Sequence, residues 1–216
     1  YEIGVDEVGR GPMFGRLYTA AVILPYYEDS DFDFSCLKDS KKFTSNNKLL
    51  KVYQYIIDNA IAYQVDYSEH SDIDRNNIRN STQLSMTRAI DKIVCNNNNK
   101  YHILIDGNYF KPYTYFDNDK GIINEIPHTT IEGGDNKYCA IAAASIVAKV
   151  ERDKYIADMC DKYKKLDTYY GLLKNKGYGT KLHMDAIKTY GISPWHRKTF
   201  GICKTADENS VEFYQE

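Results

Sequence analysis

Residues 3–12 read IGVDEVGRGP, an apolar run that ends in two adjacent carboxylates and passes at once into an arginine between two glycines. An apolar run bounded by glycine and proline predicts a strand that ends in a turn. An acidic pair at the end of a strand is usually exposed to solvent and has no functional role. Asp6 and Glu7 therefore point to a function only if other parts of the chain supply groups that complement them.

The remainder of the chain alternates strand-like and helix-like segments. Alternating or continuous apolar residues predict four further strands, at 17–24, at 61–68, at 101–106 and within 124–133. Helical spacing of apolar residues predicts helices at 46–59, around 86–94 and from 138 to 163. This order of elements favours an α/β fold with a mixed five-stranded sheet flanked by helices.

Length and composition indicate one ordinary hydrophobic core. The chain has 216 residues, of which 43% are hydrophobic and 27% are charged. We therefore expect a single domain over residues 1–216, with a basic helical C-terminal region from about residue 150. The net charge is −2, yet Lys149–Lys204 holds thirteen Lys and Arg against six Asp and Glu. Either a solvated helix face or a surface that tracks phosphates explains such a region.

The cysteines and the apolar segments argue against several classes of protein. The five cysteines are widely spaced and form no Cys-x-x-Cys pair, so neither a disulfide framework nor a zinc ribbon is indicated. No apolar segment approaches the roughly 20 residues that span a bilayer, and the sequence does not open with a basic and then an apolar region. We expect a cytosolic or nuclear protein with no membrane partner.

Three acidic sites occupy comparable positions in the predicted fold. Asp6 and Glu7 end the first strand, Asp106 ends the fourth, and Asp135 lies in the loop EGGDNK before the long helix. The ends of neighbouring strands and the loops after them lie together in an α/β sheet, so the four carboxylates are expected to meet. Taken alone, each of these acidic residues is also explained by a structural role as a turn residue or a helix cap.

The combination of four carboxylates indicates bound metal. Clustered carboxylates repel one another, and desolvation raises their pKa values unless cations compensate. Ligands that are all oxygen favour Mg²⁺ or Mn²⁺ over zinc. Two such ions activate a water molecule and stabilise the leaving oxygen of a phosphodiester. The sequence thus predicts hydrolysis of phosphoryl esters with two divalent cations.

Eight segments follow one another as they do in a known family: IGVDEVGRGPMFG, LKDSKKFT, NIRNSTQLSMTRAI, ILIDGN, GGD, IAAASIVAKVERD, NKGYGTKLH and GISPWHRKTF. By these segments, which extend over nearly the whole chain, the sequence resembles ribonuclease HII of the bacterial type. The resemblance implies a ribonuclease H-like mixed sheet and metal-dependent endonucleolytic cleavage of the RNA strand of RNA–DNA hybrids. It also implies a cytoplasmic monomer that cuts on the 5′ side of a single ribonucleotide in duplex DNA, leaving 3′-hydroxyl and 5′-phosphate ends. Such an enzyme serves DNA replication and ribonucleotide excision repair.

Matched residue by residue, the family's acidic metal ligands fall on the carboxylates already selected: Asp6, Glu7, Asp106 and Asp135. In the family the loop that matches Gly9, Arg10 and Gly11 lies along the minor groove and contacts the 2′-hydroxyl, which requires close approach of the backbone. Tyr178 matches the tyrosine that the family places against the sugar at the RNA–DNA junction. The resemblance therefore gives the carboxylates and the glycine loop one shared function, in which the carboxylates cut the strand at the place where the loop recognises the sugar.

Further matches are less central. Five residues resemble positions that line the phosphate path of the family: Lys38, Ser40, Lys41, Ser145 and Lys149. His183 and His196 fall in family motifs but in no metal-binding spacing, so we expect both to be structural. Arg16 stands where family members commonly carry proline. No convincing sliding-clamp peptide is found in the tail, residues 205–216, although Phe213 and Tyr214 leave a degenerate one open.

Two other classes of function stay open on the sequence. A DNA resolvase or strand transferase of the same fold would share the carboxylates but would not need a loop that senses a 2′-hydroxyl. Cleavage of an all-DNA duplex would identify such an enzyme. A non-catalytic module that binds hybrids would require the loss of a carboxylate, and all four are present.

Overall fold

The protein divides into two compact units in the computed structural model, which describes residues 1–28, 30–37, 45–94, 99–117, 121–209 and 213. The first, called here the sheet unit, comprises Tyr1–Val8, Tyr18–Asp66 and Gln83–Val150. The second, called the loop unit, comprises Gly9–Leu17, Tyr67–Thr82 and Glu151–Glu216. The single domain expected over residues 1–216 stays a prediction.

The sheet unit is built on a mixed sheet. The strands of the chain are β1 (Glu2–Val8), β2 (Leu17–Ile23), β3 (Ala62–Ser68), β4 (His102–Asp106), β5 (Tyr113–Asp117), β6 (Ile122–Ile126) and β7 (His128–Ile131). Five of them form one sheet in the order β3-β2-β1-β4-β7, while β5 and β6 form a separate antiparallel hairpin. β1 pairs antiparallel with β2 and parallel with β4, and β4 pairs parallel with β7. β1 is therefore the central strand.

Helices supply the residues that cover the two faces of this sheet. The long helices are α1 (Asn46–Asn59), α2 (His70–Val94, kinked at Asn77) and α3 (Cys139–Lys162). Because successive strand residues point to opposite faces, the apolar strand residues divide between two clusters. Ile3 and Val5 share a cluster with Ile90 of α2, whereas Val22 shares one with Val147 of α3.

α3 begins directly over β1 at Gly4. A Cβ added to Gly4 would overlap the carbonyl group of Ala140 and would lie 2.5 Å from the amide nitrogen of Ile141. Only glycine therefore lets the main chain of α3 approach β1 this closely. The small-residue stretch AIAAASIVA, which forms the first turns of α3, is in this way held over the strand that carries Asp6.

The loop unit joins segments that are distant in the sequence. Its shorter helices are α4 (Lys165–Tyr170), α5 (Leu172–Asn175) and α6 (Lys181–Tyr190). The amide of Met13 donates to the carbonyl of Gly177 at 2.8 Å, and the amide of Arg197 donates to the carbonyl of Met13 at 2.7 Å. The carboxylate of Asp74 accepts a 2.8 Å hydrogen bond from the amide of Lys198. Residues 9–17 are thus held by the C-terminal part of the chain.

The predicted α/β fold with a mixed five-stranded sheet is confirmed. The strand expected within 124–133 is β7, and the helix expected from 138 to 163 is α3. The hairpin of β5 and β6 was not predicted, because most of its residues are exposed or half-exposed and leave little apolar alternation to detect.

Two residues of the basic C-terminal region do not lie on the surface. Arg152 is 1% exposed and Arg197 is 0% exposed. Neither a solvated helix face nor a phosphate-tracking surface accounts for them, because both guanidinium groups bind backbone carbonyls, as described below.

Across the described ranges, no helix is both long enough and apolar enough to cross a membrane.

Candidate functional site

The parallel pairing of β1 and β4 brings two predicted carboxylates to the same edge of the sheet. Val5 pairs with Ile105, and Asp6 and Asp106 are the next residues along each strand. Glu7 follows Asp6 within β1. Because parallel strands end at the same side of a sheet, the order of the strands fixes this proximity.

The carboxyl group of Asp6 is the most perturbed acid of this cluster. Asp6 is 4% exposed, and its Oδ1 accepts a 2.7 Å hydrogen bond from the amide of Glu7. Burial, followed by the charges of Glu7 and Asp106, raises the pKa of Asp6 well above its usual value, while hydrogen bonds from Ser145 and from the Glu7 amide act in the opposite direction. A cation beside Asp6 would favour the ionised carboxylate and so oppose this shift.

A glycine turn connects Asp106 to Asp135. The amide of Gly134 donates to Oδ1 of Asp106 at 2.7 Å, and Asp135 is the next residue, within the 3-10 turn Gly134–Asn136. A Cβ on Gly134 would lie 2.6 Å from Cδ1 of Ile141, so a side chain there would displace the turn. Asp135 is 7% exposed. Its position therefore depends on the carboxylate of Asp106.

The donor chemistry of these four residues fits a hard divalent cation. All of the candidate ligands are carboxylate oxygens, which suit Mg²⁺ or Mn²⁺. Within the part of the chain that the structure describes, no three side chains of Asp, Glu, His or Cys are grouped as a preformed metal site. Mg²⁺ does not require such a cage, because it usually keeps several waters and binds through one or two carboxylates and the phosphates of a substrate.

The residues predicted along the phosphate path are only partly described. Ser145 lies on α3, is 6% exposed and contributes a hydrogen bond to Asp6, so it contacts the acidic cluster itself. Lys149 is half-buried one helical turn later, on the same face of the helix. Lys38, Ser40 and Lys41 lie outside the described residues.

In the loop unit, the glycine loop is held by the side chain of Arg197. Its Nε donates to the carbonyl of Gly15 at 2.9 Å, Nη1 to that of Arg10 at 3.0 Å, and Nη2 to that of Gly9 at 2.7 Å. Burial and the charge of Arg152 lower the pKa of Arg197 to about 9, which leaves the group charged at neutral pH. The planar fork of five donors suits such a set of carbonyls.

Arg152 closes the other side of the same loop. It donates to the carbonyl of Arg16 at 3.2 Å and to that of Lys176 at 2.9 Å. Gly9 has a φ of 91°, and a Cβ there would lie 2.7 Å from Cδ of Arg152. Both the backbone conformation and the available space therefore require glycine at position 9.

Tyr178 lies against Gly11, the second glycine of the predicted loop. A Cβ on Gly11 would lie 3.5 Å from Cε1 of Tyr178, and the guanidinium carbon of Arg152 is 6.0 Å from the centre of the tyrosine ring. The Tyr178 side chain is 45% exposed and Arg10 is exposed as well. The structure thus brings together two predicted elements, the glycine loop and the tyrosine, with a ring face available to a ligand.

Sequence reasoning missed the two buried arginines. Arg152 and Arg197 were counted only as part of a basic region, and nothing in their spacing distinguishes them from surface residues. His183 and His196 are both 0% exposed, and their Nε2 atoms are 2.9 Å apart. The structural role expected for the histidines stays a prediction.

The sequence matches the family model of ribonuclease HII over residues 3–203. Among its relatives, ribonuclease HII of Parabacteroides distasonis is 44% identical over 199 residues, which are 92% of this chain and 89% of the relative.

Solved structures show the same fold. The ribonuclease H2 of Pyrococcus horikoshii OT3 superimposes with a TM-score of 0.71 at 22% identity, over 100% of this chain and 99% of that chain. The Bst ribonuclease HIII in complex with Mn²⁺ has a TM-score of 0.56 at 17% identity, over 88% of this chain and 62% of that chain. The ribonuclease H-like architecture is therefore confirmed.

Proposed function

The chain belongs to the ribonuclease HII family and is a metal-dependent ribonuclease, and from this premise we propose how it selects and cuts its substrate. Its substrate class is the RNA–DNA hybrid. The finer proposal is that it also cuts on the 5′ side of a single ribonucleotide embedded in duplex DNA, leaving 3′-hydroxyl and 5′-phosphate ends. The family favours this activity over the resolvase, the strand transferase and the non-catalytic module.

We assign the metal site to the acidic cluster of the sheet unit. Asp6, Glu7, Asp106 and Asp135 would hold two divalent cations, Mg²⁺ or Mn²⁺. When bound, such ions activate water and stabilise the leaving oxygen of a phosphodiester. Support comes from the burial of Asp6 beside two further carboxylates, and from the Mn²⁺ complex of the ribonuclease HIII neighbour.

The protein's own residues then have separate tasks in the cluster. Ser145 and the Glu7 amide donate to Asp6 and favour its ionised form, which a cation requires. The hydrogen bond from the amide of Gly134 fixes one oxygen of Asp106 and leaves the other for a ligand. Asp135 is held near Asp106 by the same turn. Lys149, with the predicted Lys38, Ser40 and Lys41, would bind phosphates without reading the sugar.

Selection of the sugar is assigned to the loop unit. Gly9, Arg10 and Gly11 would contact the 2′-hydroxyl, since the two glycines present main chain without side chains and the buried arginines hold that main chain rigid. The exposed ring of Tyr178 would stack on the deoxyribose that follows the ribonucleotide. A loop held by charge-assisted hydrogen bonds is preorganised for such recognition.

The observation that carries the proposal is the parallel pairing of β1 and β4, which brings Asp106 and the buried Asp6 to the same edge of the sheet in a chain of this family. The test is cleavage of four labelled duplexes: a single-ribonucleotide DNA duplex, an RNA–DNA hybrid, all-DNA and all-RNA. We expect cleavage of the first two with Mg²⁺ or Mn²⁺ and none with a chelator. The 5′ product should be extendable by a polymerase, which requires a 3′-hydroxyl. Cleavage of all-DNA would refute the proposal.

The cellular setting is a further part of the proposal. We propose a cytoplasmic monomer that acts on duplexes during replication and ribonucleotide repair. A sliding clamp is not indicated by the tail, of which residues 210–212 and 214–216 lie outside the described part. Phe213 is 0% exposed and its ring packs on Tyr170 and Trp195, so this aromatic is not presented to a partner.

A further inference from the structure

Two buried histidines form a hydrogen-bonded chain that ends on the main chain of Tyr178. Nδ1 of His196 lies 3.0 Å from the amide nitrogen of Ser193, the Nε2 atoms of His196 and His183 are 2.9 Å apart, and Nδ1 of His183 lies 3.0 Å from the carbonyl oxygen of Tyr178. Both rings are 0% exposed. The chain therefore crosses the interior of the loop unit without solvent contact.

The two ends of this chain fix the tautomers of both rings. An amide N–H can only donate, so Nδ1 of His196 accepts from the Ser193 amide and also from the Ser193 hydroxyl, which lies 2.7 Å from it, and the proton of a neutral ring sits on Nε2. A carbonyl oxygen can only accept, so Nδ1 of His183 carries the proton and its Nε2 accepts. The assignment that starts from Ser193 and the one that starts from Tyr178 agree, because at the contact between the two Nε2 atoms His196 donates and His183 accepts. Burial lowers the pKa of both rings, which keeps them neutral.

The carbonyl of Tyr178 is the fixed point of a closed turn. It accepts hydrogen bonds from the amide of Thr180 at 2.8 Å and from Nδ1 of His183 at 3.0 Å. The hydroxyl oxygen of Thr180 in turn accepts from the amide of His183 at 3.3 Å. The amide of Tyr178 donates to the carbonyl of Asn175 at 2.9 Å. Both the amide and the carbonyl of Tyr178, which carries the exposed ring, are thereby fixed by hydrogen bonds.

We propose that His183 is a positioning residue for substrate selection: through the Tyr178 carbonyl it holds the tyrosine ring against Gly11, and His196 fixes the tautomer in which Nδ1 of His183 donates. In that place the ring distinguishes a junction between ribonucleotide and deoxyribonucleotide from a continuous hybrid. This inference rests on the proposed role of Tyr178. It assigns the histidines no contact with substrate or metal.

A matched pair of variants separates the two hydrogen bonds of His183. In His183→Asn the amide nitrogen takes the place of Nδ1, so the donor to Tyr178 is kept and the link to His196 is lost. In His183→Gln the amide oxygen reaches the place of Nε2, so the link to His196 is kept and the donor to Tyr178 is lost. Each variant removes one hydrogen bond of the buried His183 side chain, and the two are therefore expected to lose similar stability.

The measurement is the ratio of kcat/KM on the single-ribonucleotide duplex to that on a long hybrid. We expect His183→Gln to lower this ratio about 10-fold or more, because small displacements of a substrate-positioning group have effects of this size. His183→Asn should keep it within about 3-fold of the wild type, because an amide nitrogen donates to Tyr178 without a partner that fixes its tautomer. Tyr170→Phe is the structural control, because it removes the partly buried hydrogen bond to Gly191 while its ring keeps its packing on both histidines. It should leave the ratio unchanged.

The outcomes distinguish this inference from the function on which it rests. If the wild type shows no preference for the junction, the role of Tyr178 fails and the inference fails with it. If the wild type has the preference and His183→Gln retains it, or both His183 variants lose it equally, the inference alone is overturned. Should His183→Gln not fold, nitrogen NMR of the wild type decides. It should show Nδ1–H for His183 and Nε2–H for His196, and any other pair of tautomers overturns the inference.

Discussion

Asp6 in the sheet unit and Arg197 in the loop unit are both charged residues with little exposure, 4% and 0% respectively, but their charges are satisfied in opposite ways. Arg197 directs three nitrogen atoms at three backbone carbonyls. Asp6 accepts hydrogen bonds but lies beside two carboxylates of the same sign. The first arrangement is complete without a ligand, whereas the second is relieved by a cation.

This difference separates a structural from a functional use of buried charge. A buried ion whose hydrogen bonds are satisfied can hold a loop in one conformation, and breaking such contacts destabilises the fold. A buried ion with like-charged neighbours lowers the stability of the ligand-free protein and makes the binding of a counter-ion favourable. Substitutions in the sheet unit should therefore affect chemistry first, and substitutions of the buried arginines should affect stability first.

The largest effect is expected from Asp106→Asn. The amide keeps the shape of the side chain but withdraws a charge from cation binding, so cleavage with Mg²⁺ should fall at least about 10³-fold on both substrates. Unfolding by denaturant should remain cooperative. Asp58→Asn, an exposed change on α1, is the matched control and should cleave at the wild-type rate. Near-normal turnover by folded Asp106→Asn would remove Asp106 from the site.

Arg197→Lys should be the next largest change, and its effect should appear in stability. Lysine cannot reproduce the planar fork, so at least one carbonyl among those of Gly9, Arg10 and Gly15 loses its donor. We expect the free energy of unfolding to fall by about 2–4 kcal/mol. Arg75→Lys, on the exposed side of α2, should change it by less than about 0.5 kcal/mol. Equal stability of the two variants would contradict the structural role of Arg197.

Tyr178→Ala should act on selection rather than on stability. Loss of a stacked ring of this kind removes about 1–3 kcal/mol of binding, so cleavage of the single-ribonucleotide duplex should fall roughly 10- to 100-fold more than cleavage of a long hybrid. Tyr190→Ala removes a ring of similar exposure that stacks on Tyr169 and should leave the ratio unchanged. Equal losses of Tyr178→Ala on both substrates would indicate general packing.

The smallest expected effect tests whether ionised Asp6 destabilises the metal-free protein. The pKa of Asp6 is raised in the folded protein, so without metal the free energy of unfolding should fall as pH rises through that raised pKa. At neutral pH in a chelator, Asp6→Asn should therefore stabilise the protein by on the order of 1 kcal/mol. Millimolar Mg²⁺ should stabilise the wild type and have less effect on the variant.

Asp66 supplies the opposite case within the sheet unit. Its carboxylate binds Nε of Arg88 at 2.8 Å and Nζ of Lys92 at 2.9 Å. Asp66→Asn should therefore lower the free energy of unfolding by about 1–3 kcal/mol under the same conditions. Destabilisation by both aspartate variants would show that like-charge repulsion does not govern Asp6.

The acidic cluster could be foreseen from the sequence because the apolar runs of β1 and β4 lead directly into Asp6 and Asp106, and the parallel pairing of the two strands brings these residues to the same edge of the sheet. The strand end expected at Asp6 and Glu7 is wrong by one residue, since β1 continues to Val8. The glycine loop could be found only by resemblance, since Gly-Arg-Gly alone reads as an ordinary turn. The buried role of Arg152 could not be foreseen at all. Whether an arginine meets solvent or a carbonyl depends on contacts with residues over a hundred positions away, such as Arg16, and local pattern carries no information about them.

Gly4 has a consequence for the evolution of the protein. Because Asp6 follows Gly4 by two residues, both face the same side of β1, and the spacing between strand and helix at Gly4 also sets the hydrogen bond from Ser145 to Asp6. Any replacement of Gly4 adds at least one carbon where the main chain of α3 lies. Every change in the first two bases of its codon replaces glycine and is therefore expected to displace α3 and to lower stability. Natural variants are therefore expected to keep glycine at position 4, whereas exposed positions of the β5–β6 hairpin, such as Phe116 and Ile123, are freer to change.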